Sequence, residues 1–173
     1  MSNSIYGASR DSGYFERPAE KLVLDGYRHW TRGTVMGSTD SWTQAQLLYR
    51  ELLGDRNGEQ AIIALAQFVK TLGQCAICPL RVFNSGSHFI CRDETLVMGL
   101  IAGIQNGDEP TVKLCLEKLC CSNLCDQVAM AAGNFALTLK WMDKMMLPIP
   151  AHIIDRIADR PPQSDNASRN TIH

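Results

Sequence analysis

The sequence lacks any long apolar run. None of its segments approaches the roughly 20 consecutive apolar residues that a membrane-spanning helix requires. Residues 1–10 also lack the apolar stretch of a secretory signal peptide. We therefore expect a cytoplasmic protein that makes no use of a membrane and whose thiols stay reduced.

An excess of charge of one sign is missing as well. The 173 residues carry 17 Lys and Arg against 18 Asp and Glu, which gives a net charge of −1. The basic residues are scattered, so the sequence has no electrostatic footprint for a phosphate backbone. Binding to nucleic acid is therefore disfavoured. The partner we expect is another protein or a second copy of this chain.

Complete catalytic motifs are absent too. The sequence contains neither a Walker pattern nor a GxGxxG phosphate loop. Asp93 and Glu94 resemble paired catalytic carboxylates, but acidic residues are common at the start of a helix because they cap it and oppose its dipole. The sequence therefore favours a binding protein over an enzyme, and no catalytic residue is predicted.

What the sequence does contain is helical periodicity. Apolar residues recur at spacings of three and four, and no run alternates like a half-buried strand. Hydrophobic residues make up 45% of the chain, so a core can form without metal or disulfide support. These patterns predict an all-α fold, a single-domain helical bundle of about six to seven helices joined by short loops.

Capping residues set the expected helix boundaries. Pro18 suits the first turn of the first helix, and Ser38 or Thr39 caps the second. Residues 55–58 are predicted to form a turn before the third helix. Asp108 caps a later helix that has a proline in its first turn.

One apolar stripe is longer than the others and predicts the longest helix. Apolar residues recur from Leu124 to Met142 without interruption. Ala129, Gly133 and Ala136 lie beside this stripe and would let another helix approach closely. We therefore expect this helix to be the longest and to lie at the centre of the bundle.

We expect the bundle domain to cover residues 16–159. Residues 1–15 are rich in Ser, Gly and Asn and are predicted to form a flexible N-terminal arm. Residues 160–173 are polar and proline-led, a composition typical of a disordered C-terminal tail.

Seven cysteines fall between positions 75 and 125. Thiols in a reducing compartment are usually core residues, metal ligands or redox centres. Three of the seven have packing explanations. Cys75 continues a helix face after Leu72, Cys115 lies on an apolar face, and Cys121 is in phase with the stripe of the long helix. We expect these three in the core.

The cysteine spacing also permits a metal or redox site. Cys75 and Cys78 form a CxxC pair, which brings two sulfurs close enough to share a metal ion or to form a disulfide. Cys91 and Cys125 complete the four-ligand set that we predict for zinc or an iron–sulfur cluster. The spacing matches no standard zinc ribbon or ferredoxin pattern, and a protein with no cofactor stays the alternative.

Two hypotheses for the function follow. The first is a small cytosolic helical protein that acts by binding a partner, as a regulator or adaptor, with no assembled catalytic site. The second is a thiol-based protein that binds zinc or an iron–sulfur cluster, or senses redox state, through the cysteines around Cys75 and Cys78. The positions of the sulfur atoms distinguish the two, because a metal site requires four of them around a common point.

Overall fold

The computed structural model describes residues 13–160. Seven α-helices have their bounds inside this range: α1 (Pro18–Met36), α2 (Thr39–Leu53), α3 (Asp55–Cys75), α4 (Arg92–Asn106), α5 (Glu109–Leu119), α6 (Cys125–Trp141) and α7 (Ala151–Ala158). A short 3-10 helix, Ser122–Leu124, precedes α6. Across residues 13–160, β-structure is limited to one isolated bridge. The predicted all-α bundle is therefore confirmed.

The helix ends follow the capping residues that the sequence indicated. The Ser38 hydroxyl accepts a hydrogen bond from the backbone N–H of Ser41 at the start of α2. The Asp108 carboxylate does the same for Thr111 at the start of α5. Gly107 ends α4 in the left-handed conformation, with φ of 68°, which costs glycine little because it has no Cβ. Local sequence signals are therefore sufficient to define these boundaries.

The predicted turn at residues 55–58 is wrong. These residues form the first turn of α3, which follows α2 after the single residue Gly54. Gly58 allows this arrangement because α3 crosses close to the end of α2. A Cβ at position 58 would lie 2.9 Å from the carbonyl oxygen of Tyr49. The glycine therefore serves a close approach between two helices rather than a turn.

The centre of the bundle is α4. Every residue from 94 to 103 is buried, so the helix is covered on all sides. It packs against α1, α5, α6 and α7. The prediction that α6 is the longest and most central helix is wrong: α3 has 21 residues against 17 in α6. One face of α6 is exposed and carries Met130, Leu137 and Trp141.

The ends of the chain are described only in part. Residues 1–12 and 161–173 lie outside the described range, and most of the predicted arm and tail falls there. Tyr14 and Phe15, which the sequence placed in the arm, pack partly buried against the core. None of the described helices is both long enough and apolar enough to cross a membrane.

Candidate functional site

The seven cysteines, all of them free, occupy three kinds of environment. Three are buried: Cys75, Cys115 and Cys120. Two are half-buried and two are exposed: Cys91 and Cys125, then Cys78 and Cys121. The prediction that Cys75 and Cys115 belong to the core is confirmed. For Cys121 the prediction is wrong, because α6 begins only at position 125 and its helical stripe does not extend back to the exposed Cys121.

The structure does not bring together the four predicted metal ligands. The Cys91 thiol donates to the carbonyl oxygen of Arg81 at 3.4 Å, on the side of α4 where the 77–91 loop joins it. The Cys75 sulfur lies 4.0 Å from the side-chain oxygen of Gln127. Cys78 is exposed, and the Cys125 sulfur contacts that of Cys120, which is not one of the four. Within residues 13–160, no group of three or more His, Cys, Asp or Glu residues is placed to hold a metal ion.

Three of the cysteines have thiols that resist ionisation, and two of them, Cys91 and Cys115, lie apart from the other sulfurs. Burial, with the nearby Glu94 carboxylate, raises the pKa of Cys91 to about 12. Burial also raises the pKa of Cys115 to about 12, with a smaller contribution from Asp108. Since the thiolate is the form that binds metals and attacks electrophiles, burial disfavours both residues as metal ligands and as attacking nucleophiles at neutral pH.

A different set of cysteines does come together. An antiparallel bridge pairs Ala76 with Cys120. The backbone N–H of Cys121 donates to the carbonyl oxygen of Cys75 at 3.1 Å, and that of Ile77 donates to Leu119 at 3.0 Å. The end of α3 is thus fastened to the segment between α5 and α6, so the CxxC backbone lies beside the second group of cysteines.

Beside this junction lies an apolar groove of about 700 Å³. Its apolar lining comes from α4, from the outer face of α5, from the segment after α3 and from the two ends of the connection between α5 and α6. These residues are Ile77, Ile104, Val112, Leu116, Cys120 and Cys125. We call this feature the α5 groove. Its volume falls within the range of about 300–1,000 Å³ that is typical of ligand sites.

Small residues in α4 shape one wall of the groove. A Cβ at Gly103 would lie 3.0 Å from a methyl carbon of Val112, so the glycine lets α5 approach α4 closely. Gly107 caps the C-terminus of α4 and reverses the chain, and Asp108 directly after it caps the N-terminus of α5. The two helices therefore pack closely beside the chain reversal, and the groove lies along their outer side.

The rim of the groove is acidic. Asp108, Glu109 and Glu117 lie on it, against one basic residue, Lys113. Lys113 and Glu117 lie one helical turn apart, and their charged atoms are 3.9 Å apart. Because this pair is neutral, the net negative charge of the rim comes from the two carboxylates at the start of α5. Both oxygens of the Asp108 carboxylate accept hydrogen bonds from Thr111, one from its backbone N–H and one from its hydroxyl.

Sequence reasoning missed the α5 groove. Val112, Cys115, Leu116 and Leu119 recur at helical spacing, which predicts that all four lie on the buried face of α5. Only Cys115 and Leu119 are buried, whereas Val112 and Leu116 are half-buried and line the groove. The spacing held no signal of the groove, because four apolar residues on one face of an 11-residue helix are ordinary for a helix that packs against a core.

A scan of protein-family models, a search of curated proteins and a search of solved structures each found no match for the chain. The fold and the site are therefore described by their architecture: an all-α bundle with an apolar groove along α5.

Proposed function

We propose that this chain is a small cytosolic helical protein that binds another protein, and that the α5 groove receives a short amphipathic helix with basic flanks from that partner. The observation that carries the proposal is the groove of about 700 Å³ with an apolar floor and an acidic rim. The role is that of a regulator or adaptor, and the binding itself is the activity.

The apolar floor suits the apolar face of a helix. Val112 and Leu116 lie one turn apart on α5, and Ile104 lies beside them on α4. Ile77 also lines the groove and is 56% exposed, so the groove is open to solvent at that residue. Because α5 has 11 residues, its floor is about 16 Å long, which matches about three turns of a partner helix. Grooves of this kind typically bind two or three apolar residues spaced by one turn.

The acidic rim selects the flanks of the partner. Asp108 and Glu109 stand at the start of α5, and the Lys113 ammonium near Glu117 offsets only one of the rim carboxylates. Complementary charge across an interface speeds association and disfavours wrong partners more than it adds affinity. A helix flanked by Lys or Arg therefore fits the groove better than one flanked by Glu or Asp.

The cytosol is the compartment that the thiols support. All seven cysteines are free, and two of them, Cys78 and Cys121, are exposed. Exposed unpaired thiols persist in a reducing compartment and are oxidised outside it. The net charge of −1 likewise supports a protein partner rather than nucleic acid.

The test uses a designed probe, a fluorescent three-turn helical peptide with Leu at one-turn spacing and Lys on both flanks. Fluorescence anisotropy measures its dissociation constant for the full chain. Ile77→Lys places a positive charge in the groove, so we expect its affinity for the probe to fall about tenfold or more. Ile63→Lys is the matched control, because Ile63 is 64% exposed on α3 and outside the groove.

The proposal predicts a definite order of affinities. The Lys-flanked probe should bind more tightly than a Glu-flanked probe of the same apolar pattern, and the difference should shrink as salt is added. Equal loss of affinity in the Ile63→Lys control, or binding that ignores the flanking charge, would count against the groove. Sedimentation of the chain alone tests the other occupant, since a dimer lost in Ile77→Lys would assign the groove to a second copy.

A further inference from the structure

The sulfur atoms of Cys120 and Cys125 lie 3.4 Å apart on the wall of the α5 groove. A disulfide bond is about 2.05 Å long, so the sulfurs need to approach each other by only about 1.4 Å. We infer that this pair is a thiol–disulfide site, which a low-molecular-weight disulfide oxidises to an intramolecular bond. The inference goes beyond partner binding, because the chemistry requires nothing in the groove except the oxidant.

The backbone holds the two cysteines in this relation. Cys120 follows the last residue of α5, and its segment is fixed by the bridge to Ala76. Cys125 is the first residue of α6. Between them the 3-10 turn is closed by a hydrogen bond from the backbone N–H of Leu124 to the carbonyl oxygen of Cys121. Both sulfurs therefore start from defined positions, at two helix ends joined by four residues.

The two thiols differ in access. Cys120 is 1% exposed, and its thiol lies 3.1 Å from the carbonyl oxygen of Leu116. Burial, together with the hydrogen bond to Cys125, raises the pKa of Cys120 to about 12. Cys125 is half-buried and faces the groove, so an incoming disulfide meets its sulfur first. Cys125 is therefore the attacking thiol and Cys120 the resolving thiol.

The reaction proceeds in two exchanges. The thiolate of Cys125 attacks one sulfur of the disulfide R–S–S–R, which forms a mixed disulfide and releases one R–S⁻. Cys120 then transfers its proton to that R–S⁻, and its sulfur attacks the Cys125 sulfur and releases the second thiolate. Two cysteine thiols are thus oxidised to one disulfide, and one small disulfide is reduced to two thiols. The reverse sequence with excess small thiol restores the pair.

The neighbouring cysteines are the competitors. Cys121 is exposed and adjacent in sequence to Cys120, and the buried Cys75 lies beside the same bridge, with its sulfur 4.0 Å from the side-chain oxygen of Gln127. Among the described residues, Cys120 and Cys125 are the pair with the sulfur contact. The geometry therefore predicts which of the possible disulfides forms.

The experiment uses the full chain with Cys78→Ser and Cys121→Ser, which removes both exposed thiols and leaves five cysteines. The folded protein is incubated with oxidised glutathione, its free thiols are then blocked with N-ethylmaleimide in urea, and tryptic peptides are weighed. The peptide from residue 119 to residue 140 then contains only Cys120 and Cys125. We expect this peptide unblocked and about 2 Da lighter than its reduced form.

Each outcome decides the inference. Five thiols should fall to three in the folded protein, with a rate about tenfold or more above that in urea, because folding fixes the two sulfurs in contact. Adding Cys125→Ser should abolish the loss, whereas adding Cys91→Ser should leave the disulfide intact. A peptide that carries two N-ethylmaleimide groups, a stable glutathione adduct on Cys125, or a disulfide that includes Cys75 overturns it. Under the same treatment with oxidised glutathione, the wild-type chain must also form the disulfide between Cys120 and Cys125.

Discussion

Arg28 and Glu94 form a buried ion pair that joins α1 to the start of α4. The guanidinium Nε lies 2.8 Å from the carboxylate Oε1, and Nη2 lies 3.0 Å from Oε2, so the pair is bidentate. The side chains of Arg28 and Glu94 are 2% and 0% exposed. Each also binds the 77–91 loop: Glu94 accepts the backbone N–H groups of Phe83 and Cys91, and Arg28 donates to the carbonyl oxygens of Ser87 and Phe89. The pair therefore holds the irregular loop onto the bundle.

Replacing Glu94 with Gln should destabilise the protein strongly. The change removes the bidentate carboxylate and leaves the buried Arg28 guanidinium with only Asp25, whose carboxylate lies 3.8 Å from it. Breaking a buried pair typically costs about 3–5 kcal/mol. Urea unfolding measures the loss in the free energy of unfolding. Hydrogen exchange at the backbone N–H groups of Phe83 and Cys91 should also speed up, because both donate to the Glu94 carboxylate.

Glu117→Gln is the matched control for this prediction. Glu117 pairs with Lys113 at 3.9 Å, and both side chains are largely exposed. Exposed pairs of this spacing contribute no more than about 0.5 kcal/mol, so the control should unfold almost as the wild type does. Equal effects of the two substitutions would show that the Arg28–Glu94 pair does not hold the loop.

Two glycines in helices should respond to alanine with opposite signs. In Gly58→Ala, the new Cβ would meet the backbone of Tyr49 at 2.9 Å and that of Arg50 at 3.0 Å, so two helices must separate. Overpacking of this kind costs about 1–3 kcal/mol. At Gly133 no atom of the described residues lies within 4 Å of the Cβ position, and alanine there should stabilise the protein by up to about 1 kcal/mol.

Thermal and urea unfolding of the two alanine variants measure the difference. The sign is the decisive result, because helix propensity alone favours alanine at both positions. If Gly58→Ala proved as stable as the wild type, the close approach of α2 and α3 would have to be wrong.

Local signals predicted the helices but not their partners. Pro18, Ser38 and Asp108 mark helix starts through hydrogen bonds or backbone geometry within one turn, and the structure has helices at all three. Glu94 has the same signature of a helix start, yet its main partner is Arg28, 66 residues away. No spacing along the chain encodes such a pair, because the fold alone brings the two residues together.

The site was harder to predict than the fold for the same reason. The sequence drew attention to Cys75 and Cys78, which are close along the chain. The contact that the structure shows is between Cys120 and Cys125, and it depends on where α5 ends and α6 begins. Cys121 was assigned to the core because the helical stripe was extended four residues too early. An error in one helix boundary thus changed which thiols were expected to meet.

His29 should titrate below its ordinary pKa of 6.5. Burial is the largest cause of the lowered pKa; Arg32 and Arg28 lower it further, and Asp25 opposes them. Between the two pKa values the unfolded chain holds the proton more tightly than the folded protein does. The stability contribution of His29 is therefore complete above about pH 6.5 and is lost as the pH falls from there towards the folded pKa.

NMR titration of the His29 ring measures this directly, by comparison with the ordinary pKa of 6.5. In urea unfolding, the stability lost between pH 7 and pH 5 should be smaller in His29→Gln than in the wild type. A midpoint for His29 at or above 6.5 would contradict its half-buried position beside two arginines.

Gln105→Leu should release the segment between α6 and α7. The Gln105 amide is buried, and it donates to the carbonyl oxygens of Ala136 and Lys144 and accepts the backbone N–H of Met146 at 2.8 Å. Leucine has about the same size but leaves the Lys144 carbonyl and the Met146 N–H without this partner, which typically costs about 1–3 kcal/mol for each buried group. Native-state trypsin cleavage after Lys144 should therefore accelerate well before global unfolding. Gln67→Leu, at an exposed position on α3, is the control and should leave that cleavage rate unchanged. If the segment were held only by its apolar contacts, the two variants would be cleaved at the same rate.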